Sequence, residues 1–204
     1  KFDSRIATGD AAIFADDRPV VFYNPHFDPQ LSSWFNFGLP LLEYFADQDR
    51  YNLIVAPHVM LFVKELHISP EYKKSRRRPD VAQKYRDAAN IRVDLDSPRL
   101  FDMSYTIAAD AYIGDISSQI YEFLFSPRPV FIIDTHSKES AFDEPAYEFW
   151  KNGPVVRDLD ALTELLPRWR EIGEEYRAEQ VRLMSLTADS SDPRPASERG
   201  AEAL

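Results

Sequence analysis

The sequence predicts an α/β protein built on a doubly wound parallel sheet of about six strands, with helices on both faces. Two observations predict this fold. Apolar runs of strand length recur along the chain without clean period-two alternation, as expected for parallel strands covered on both faces. Helical patterns lie between these runs, and such an alternation of strands and helices is typical of a parallel sheet.

The predicted strands follow one another at regular intervals. The five main runs are PVVFYN (19–24), YNLIVAP (51–57), NIRVDL (90–95), DAYIGD (110–115) and PVFIID (129–134), and a short sixth is GPVVRD (153–158). Each is rich in Val, Ile, Leu or aromatic residues and is bounded by polar or turn-forming residues. We therefore expect all six to be buried strands of one sheet.

The helical segments alternate with these strands. They are 32–48, which starts at serine and in which Pro40 implies a kink or a late start; 70–89, interrupted near Pro79; 102–109, starting at an Asp cap; 117–126; and 159–184, broken at Pro167. We expect residues 1–186 to form one domain. The last stretch, 187–204, is rich in Ser, Pro, Ala and charge and is expected to be a disordered tail.

Composition excludes several classes of protein. The 204 residues carry a net charge of −10, which disfavours nucleic-acid binding. There is no cysteine, which fits a cytoplasmic protein, and no apolar run reaches the roughly 20 residues of a membrane span. Dinucleotide and Walker fingerprints, and spacings typical of a metal site, are missing, so we expect no metal and no cofactor. The start, KFDSRIATGD, is expected to be the edge of a longer protein.

One segment departs from the acidic character of the chain. YKKSRRRPD, residues 72–80, holds five basic residues among nine. Such a cluster is usually a solvated loop. The alternative is contact with a phosphate-rich partner, so residues 72–78 are a candidate for peripheral attachment to the inner face of a membrane or for binding of a polyanionic acceptor.

The turn after the fourth predicted strand raises a functional question. Asp115 ends the strand, and Ser117 and Ser118 open the next helix. Ligands of open parallel sheets bind beyond the carboxyl ends of the strands, where helix N–H groups favour an anion. Asp115 and the two serines are therefore candidates for nucleotide or phosphate binding, and Glu122, one turn later, is a candidate for a ribose diol. The alternative stays open that the serines are an ordinary helix cap.

ADAYIGDISSQIYEFLFSPRPVFI resembles a block of the CDP-glycerol glycerophosphotransferases of teichoic-acid synthesis. In that family a run ending Thr-Asp-Tyr-Ser-Ser precedes a helix with an acidic residue and then a strand bounded by proline. Asp115, Ser117 and Ser118 match it. The turn is also similar to that of the UDP-N-acetylglucosamine 2-epimerases, a comparison in which Glu122 falls on the ribose-binding acid. The resemblance implies the Rossmann-like C-terminal half of a GT-B transferase.

Three further stretches agree in order with the family: KFD (1–3), VFYNPHFDP (21–29) and LIVAPH (53–58). The resemblance thus spans about residues 1–160. The chain departs from the family at Val59, where a proline is expected, and at His26, where a threonine is expected. The basic segment at 69–80 has no counterpart in the family.

Two histidines follow strands at the same predicted edge. His26 comes after the first strand and His58 after the second, and both are candidate catalytic residues that would lie near the reacting groups. The resemblance implies that His58 contacts the donor diphosphate or the transferred group, where a pKa near neutrality would let it supply positive charge. A structural role in the loops is the alternative for both. His67 is expected at the surface, and His136 at the rim of the crevice.

The resemblance implies a domain that binds a nucleotide-activated donor such as CDP-glycerol or a UDP-sugar. The complete enzyme would transfer the glycerophosphate or glycosyl group to a polymer or lipid-linked acceptor of the bacterial cell envelope. An N-terminal domain would supply the catalytic base, so little turnover is expected from this chain alone. Two alternatives remain: a UDP-sugar glycosyltransferase or 2-epimerase domain, and a non-catalytic, flavodoxin-like interaction module.

Overall fold

A computed structural model describes residues 13–115, 117–134, 145–187, 194 and 196–202. The sheet contains six parallel strands, which lie within the six predicted runs. They are β1 (Val20–Asn24), β2 (Asn52–Val55), β5 (Ile91–Val93), β6 (Ala111–Gly114), β7 (Val130–Ile133) and β8 (Val155–Val156). A separate antiparallel hairpin consists of β3 (Leu66–Ser69) and β4 (Lys74–Arg77).

The strand order is β5-β2-β1-β6-β7-β8. The chain builds outward from β1 to β5, returns to the centre, and builds outward again from β6 to β8. The order therefore reverses between β1 and β6, which pair in parallel through Val21–Asn24 and Ala111–Gly114. Crevices at such a reversal are the usual ligand sites of doubly wound sheets.

Seven α-helices are described. They are α1 (Leu39–Ala46), α2 (Gln83–Arg86), α3 (Ser104–Ala108), α4 (Gln119–Phe123), α5 (Leu159–Leu165), α6 (Trp169–Thr187) and α7 (Ala196–Glu202). A π-helical turn (Trp34–Gly38) precedes α1, and a short 3-10 turn containing Pro167 separates α5 from α6. The expected late start at Pro40 and the break at Pro167 are both found.

Two apolar clusters cover the two faces of the sheet. Tyr23 and Val21 of β1 point into one cluster, with residues of α1, α2 and α5, whereas Phe22 points into the other, with residues of α3 and α4. Because alternate residues of the same strand are buried on opposite faces, the strands read as continuous apolar runs. This arrangement confirms the predicted α/β fold with helices on both faces.

The predicted helix over 70–89 is wrong for most of its length. Residues 66–77 form the β3–β4 hairpin, and only Gln83–Arg86 is helical. Lys73, in the turn, has a left-handed backbone conformation with φ of 50°, which a continuous helix cannot contain. The alternating exposed and buried residues of Leu66–Ser69 also match a strand rather than a helix.

The expected tail is described only in part. Ala196–Glu202 forms the short helix α7 rather than the irregular chain expected there. Residues 1–12, with the KFD stretch, and residues 188–193 lie outside the described part of the chain. No helix in the described part combines the length and apolar character that a bilayer crossing requires.

Gly153 offers a test of the packing between β7 and the segment that precedes the edge strand β8. A Cβ at this position would overlap the carbonyl oxygen of Val130, at the start of β7, and would lie 2.8 Å from its carbonyl carbon. Backbone atoms cannot yield as a flexible side chain does, so we expect Gly153→Ala to destabilise the fold by about 1–3 kcal/mol.

The measurement is the free energy of unfolding in urea, with Gly200→Ala as the matched control. A Cβ at Gly200, in α7, would meet nothing within 4 Å. We expect the control to leave the stability within about 0.5 kcal/mol of the wild type. Equal stability of the two variants would contradict the close approach at Gly153.

Candidate functional site

A crevice of about 240 Å³ opens at the carboxyl edge of the sheet, beside the reversal of strand order. Its lining comes from the carboxyl half of β1, from the segments that follow β2 and β5, and from the first turns of α3 and α4. The lining residues are Phe22, Asn24, Ala56, Pro57, His58, Val59, Arg99, Leu100, Phe101, Met103, Tyr105, Thr106, Gln119 and Glu122. The crevice thus brings together His58 and Glu122, two of the residues singled out in the sequence.

Asp115 is not among the residues that line this crevice, and it is only 2% exposed. One carboxylate oxygen accepts a hydrogen bond from the backbone N–H of His26 (2.8 Å), and the other accepts one from the backbone N–H of Ser33 (2.5 Å). Burial raises the pKa of Asp115 to about 6, although these donors act to lower it. Its carboxylate therefore holds the loop after β1 against the end of β6, and a direct contact with phosphate stays a prediction.

The two serines of the turn differ in their contacts. The Ser117 hydroxyl accepts a hydrogen bond from the N–H of Gln119 (3.3 Å), as a helix cap does. The Ser118 side chain makes no capping bond. α4 has only five residues, so its dipole is a weak anion site by itself. The structure thus gives Ser117 the capping contact, and the phosphate role of both serines stays a prediction.

Glu122 and Gln119 project from α4 into the crevice. The Gln119 side-chain amide donates to a Glu122 carboxylate oxygen, and it also lies 3.5 Å from the Thr106 hydroxyl of α3. Glu122 is exposed to solvent along this wall. A carboxylate held in this way presents its acceptor atoms to a ligand that carries hydroxyl groups.

His26, Phe27 and His58 form a stack of rings beside the crevice. The centroid of the Phe27 ring lies 4.5 Å from that of His26 and 4.6 Å from that of His58. His26 Nδ1 accepts the backbone N–H of Asp28 (3.0 Å), and His58 Nδ1 accepts that of Met60 (3.2 Å). Because each Nδ1 is an acceptor, each neutral ring carries its proton on Nε2. The two imidazoles are therefore hydrogen-bond donors through Nε2.

Both histidines are neutral near pH 7. Burial, followed by repulsion from His58, lowers the pKa of His26 to about 4, although Asp28 acts in the opposite direction. Burial also lowers the pKa of His58. The sequence suggested a positively charged His58, whereas this geometry provides N–H donors without a fixed charge.

One wall of the crevice was missed by the sequence analysis. The segment 97–103 follows β5 and contributes Arg99, Leu100 and Phe101 to the lining. Buried Asp94 fixes this segment, because its carboxylate accepts hydrogen bonds from the Ser97 backbone and hydroxyl and from the Tyr105 hydroxyl (2.5 Å). The sequence does contain a signal, since Asp94 lies near the carboxyl end of the third predicted strand and Asp115 ends the fourth.

The two remaining histidines, His67 and His136, are not part of the described lining of the crevice. His67 is buried rather than exposed as expected, and its Nε2 lies 2.8 Å from the Leu61 carbonyl oxygen and 3.0 Å from that of Lys64. His136 lies outside the described residues. Across the described ranges, no group of three or more His, Asp or Glu side chains is arranged to hold a metal ion.

Comparison with known proteins identifies the fold. No family model and no curated protein matches the chain. The solved structure of the wall teichoic acid polymerase TagF matches with a TM-score of 0.55 and 15% identity, over 89% of this chain and 40% of TagF. A TagF variant soaked with CDPG matches with a TM-score of 0.53 and 17% identity, over 83% of this chain and 37% of that protein. The calicheamicin glycosyltransferase CalG4 matches with a TM-score of 0.50 and 15% identity, over 87% of this chain and 41% of CalG4.

These likenesses define the class of fold. The chain has the Rossmann-like α/β fold of one half of a GT-B glycosyltransferase, as its sheet order and the similar structures agree. It spans about 40% of the length of these similar proteins.

The lowered pKa of His26 predicts how stability depends on pH. Between pH 6.5 and about 4 the unfolded chain binds a proton at this histidine and the folded chain does not, so the histidine reduces stability as the pH falls. His26→Asn retains an acceptor for the Asp28 N–H but does not titrate. We expect the variant to lose about 1–3 kcal/mol less than the wild type between pH 6.5 and 4.5.

Urea unfolding at several pH values measures this difference. The raised pKa of Asp115 acts in the opposite direction, because the folded state then binds the extra proton between about pH 4 and 6. Asp115 is present in both proteins, so the difference between their pH profiles isolates His26. Parallel profiles would contradict the lowered pKa.

Tyr105→Phe tests whether the Tyr105 hydroxyl supports the crevice wall formed by residues 97–103. Loss of the hydroxyl removes one donor to the buried Asp94 carboxylate, so we expect a destabilisation of about 1–3 kcal/mol. Tyr44→Phe is the matched control, because the hydrogen bond that the hydroxyl of Tyr44 accepts among the described residues comes from the exposed Arg50 side chain, at 3.4 Å. Urea unfolding should separate the two variants, and equal effects would rule out the supporting role of Tyr105.

Proposed function

We propose that the chain is the donor-binding half of a GT-B transferase that uses a nucleotide-activated donor. The observation that carries this proposal is the convergence of His58, after β2, and Glu122, on α4, in one crevice at the reversal of strand order. Ligands of doubly wound sheets bind at this position. The crevice is open, whereas an interaction module would need no such space, and this supports donor binding over the alternative of a non-catalytic module.

The nucleoside would occupy the part of the crevice between α4 and the segment 97–103. Glu122 would accept hydrogen bonds from the ribose hydroxyl groups. Leu100 and Phe101 would offer an apolar surface to the base; Phe101 is 74% exposed, so its ring is accessible for stacking. The volume of 240 Å³ is below the roughly 300–1,000 Å³ of complete small-molecule sites, which fits a site that a second domain completes.

The phosphate groups would lie towards the turn after β6 and the histidine stack. Ser117 and Ser118 are small and carry hydroxyl donors, and His58 and His26 carry Nε2–H donors. Asp115 would act as a positioning residue, because it anchors the loop that carries His26. Donors fixed in advance around a leaving phosphate stabilise the charge that develops on it.

The reaction would be a group transfer to an acceptor hydroxyl. The hydroxyl oxygen would form a bond to the phosphorus of a glycerophosphate group, or to the anomeric carbon of a sugar. The bond to the nucleotide would break, and the nucleotide would leave with the electron pair. The hydroxyl proton would pass to a base outside this chain, so the isolated chain would bind a donor with little turnover. No metal or cofactor is required by this scheme.

The transferred group distinguishes the two candidate functions, glycerophosphotransferase and glycosyltransferase. The resemblance of residues 109–132 to the glycerophosphotransferases and the likeness to TagF favour CDP-glycerol and a polymer or lipid-linked acceptor. The likeness to CalG4 supports a glycosyl donor as the second candidate. Both readings share the nucleoside and phosphate contacts described above.

Calorimetric titration of the 204-residue chain with CDP, UDP and CDP-glycerol tests the proposal. We expect one nucleotide to bind with micromolar to millimolar affinity. Glu122→Gln should weaken it by about 10–100-fold, because a charged hydrogen-bond acceptor for the ribose is lost. Ser117→Ala/Ser118→Ala should also weaken nucleotide binding, because two hydroxyl donors to the phosphate groups are lost.

Glu164→Gln is the matched control, since Glu164 is an exposed glutamate on α5 and does not line the crevice. It should bind as the wild type does. Preference for CDP would support the glycerophosphate donor, and preference for UDP would support the glycosyl donor. Failure of every nucleotide to bind, both to this chain and to the full-length protein, would overturn the proposal.

A further inference from the structure

The β3–β4 hairpin has two different faces. Residues 64–78 contain six Lys and Arg residues and two Glu, in a chain whose net charge is −10. The inner face packs on the body of the domain and the outer face is open to solvent. Basic residues on the inner face contact the domain, whereas those on the outer face are exposed, and the sequence alone does not show which residue lies on which face.

The inner face fastens the hairpin to the segment 30–36. The Lys74 ammonium group donates to the Gln30 side chain (2.8 Å). The Arg76 guanidinium group lies over the Phe35 ring, 4.9 Å from its centroid, and donates to the Asn36 side chain (2.5 Å). These two cations of the basic segment therefore have structural partners, and the hairpin is held in a fixed orientation.

The outer face combines aliphatic side chains with cations. Leu66 and Ile68 of β3 are 55% and 64% exposed, and the residues opposite them on β4 are Arg77 and Ser75. Arg77 forms an ion pair with Glu65 (2.8 Å) that is largely exposed to water. Exposed Lys64 precedes β3, and Lys73 lies in the turn.

The exposed apolar surface continues into the neighbouring segments. Val63, before β3, is 65% exposed, and Met60 and Tyr72 are also exposed. Contiguous exposed apolar side chains with basic neighbours mark an interaction surface. Aliphatic side chains beside lysine and arginine match a bilayer interface, where the apolar groups enter below the headgroups and the cations meet anionic lipid.

We propose that the outer face of the β3–β4 hairpin docks on an anionic lipid surface. Leu66 and Ile68 enter the interfacial region, and Lys64, Lys73 and Arg77 contact the lipid phosphates. The rest of the chain is acidic and is repelled by the same surface, so the charge distribution orients the hairpin towards the lipid. Met60 directly follows Val59, which lines the crevice, and docking therefore brings the crevice close to the membrane.

Sedimentation with lipid vesicles tests this proposal on the 204-residue chain. Vesicles of phosphatidylcholine alone are compared with vesicles containing about 30% phosphatidylglycerol, at low and high salt. We expect binding only to the anionic vesicles, with a bound fraction that falls at high salt. Leu66→Ser/Ile68→Ser and Lys64→Gln/Lys73→Gln should each reduce the apparent partition coefficient by about 5-fold or more.

Val181→Ser/Leu186→Ser is the matched control, because these residues form an exposed aliphatic pair on α6, outside the hairpin. It should bind vesicles as the wild type does. Thermal unfolding should show that all the variants are folded, since the replaced side chains are exposed. The nucleotide titration is a separate measurement, so its outcome does not bear on this one.

Any of four results would overturn the proposal. The wild type fails to bind anionic vesicles, or the hairpin variants bind as well as it does. Binding to soluble polyphosphate that is unaffected by Leu66→Ser/Ile68→Ser, together with unchanged vesicle binding, would assign the surface to a polyanion. Self-association that the same variant abolishes, without vesicle binding, would assign it to a second copy of the chain.

Discussion

The buried carboxylate of Asp115 is the contact on which the arrangement of the crevice depends. It ends β6 and accepts hydrogen bonds from the backbone N–H groups of His26 and Ser33. A carboxylate with almost no access to water is tolerated only where such donors surround it. Removal of either donor would leave one buried carboxylate oxygen without its backbone partner, so the loop after β1 has little freedom to move.

The constraint at Asp115 extends in two directions. Through His26 it fixes the ring stack that includes Phe27 and His58, and hence one side of the crevice. Through Ser33 it fixes the start of the π-helical turn, in which the Trp34 indole donates to the Pro79 carbonyl oxygen (3.0 Å). The hairpin that we propose as a membrane contact and the crevice that we propose as a donor site therefore share one support.

The sequence predicted secondary structure well in segments where most consecutive residues are buried. All six strands of the sheet could be predicted because most of their residues are apolar and buried, although β5 contains the exposed Arg92. The hairpin could not, since Leu66–Ser69 alternates over only four residues and Lys73 has a side chain that gives no sign of its left-handed backbone. The crevice wall at 97–103 was missed because Tyr105 and Asp94, which fix it, are eleven residues apart and carry no motif.

The identity of a residue also says less about its role than its environment does. Asp115 was singled out for phosphate binding because it ends a strand, yet both of its oxygens accept backbone hydrogen bonds. His58 was expected to supply charge, yet burial lowers its pKa and the Met60 N–H occupies its Nδ1. Spacing in the sequence could place these residues at the correct edge of the sheet, but not assign the atoms that remain available.

Neutral donors would suit the nucleotide-donor site that we propose. A permanent cation would already bind the charged diphosphate of the donor tightly, and the part of that binding that is equal in the ground state and the transition state does not accelerate a reaction. An Nε2–H group interacts more strongly as negative charge develops on the leaving phosphate. That charge would also raise the pKa of His26 and His58 towards the ordinary value, because a nearby anion favours the protonated ring. The burial that keeps the two rings neutral in the free domain thus allows the stabilising charge to form when the anion is present.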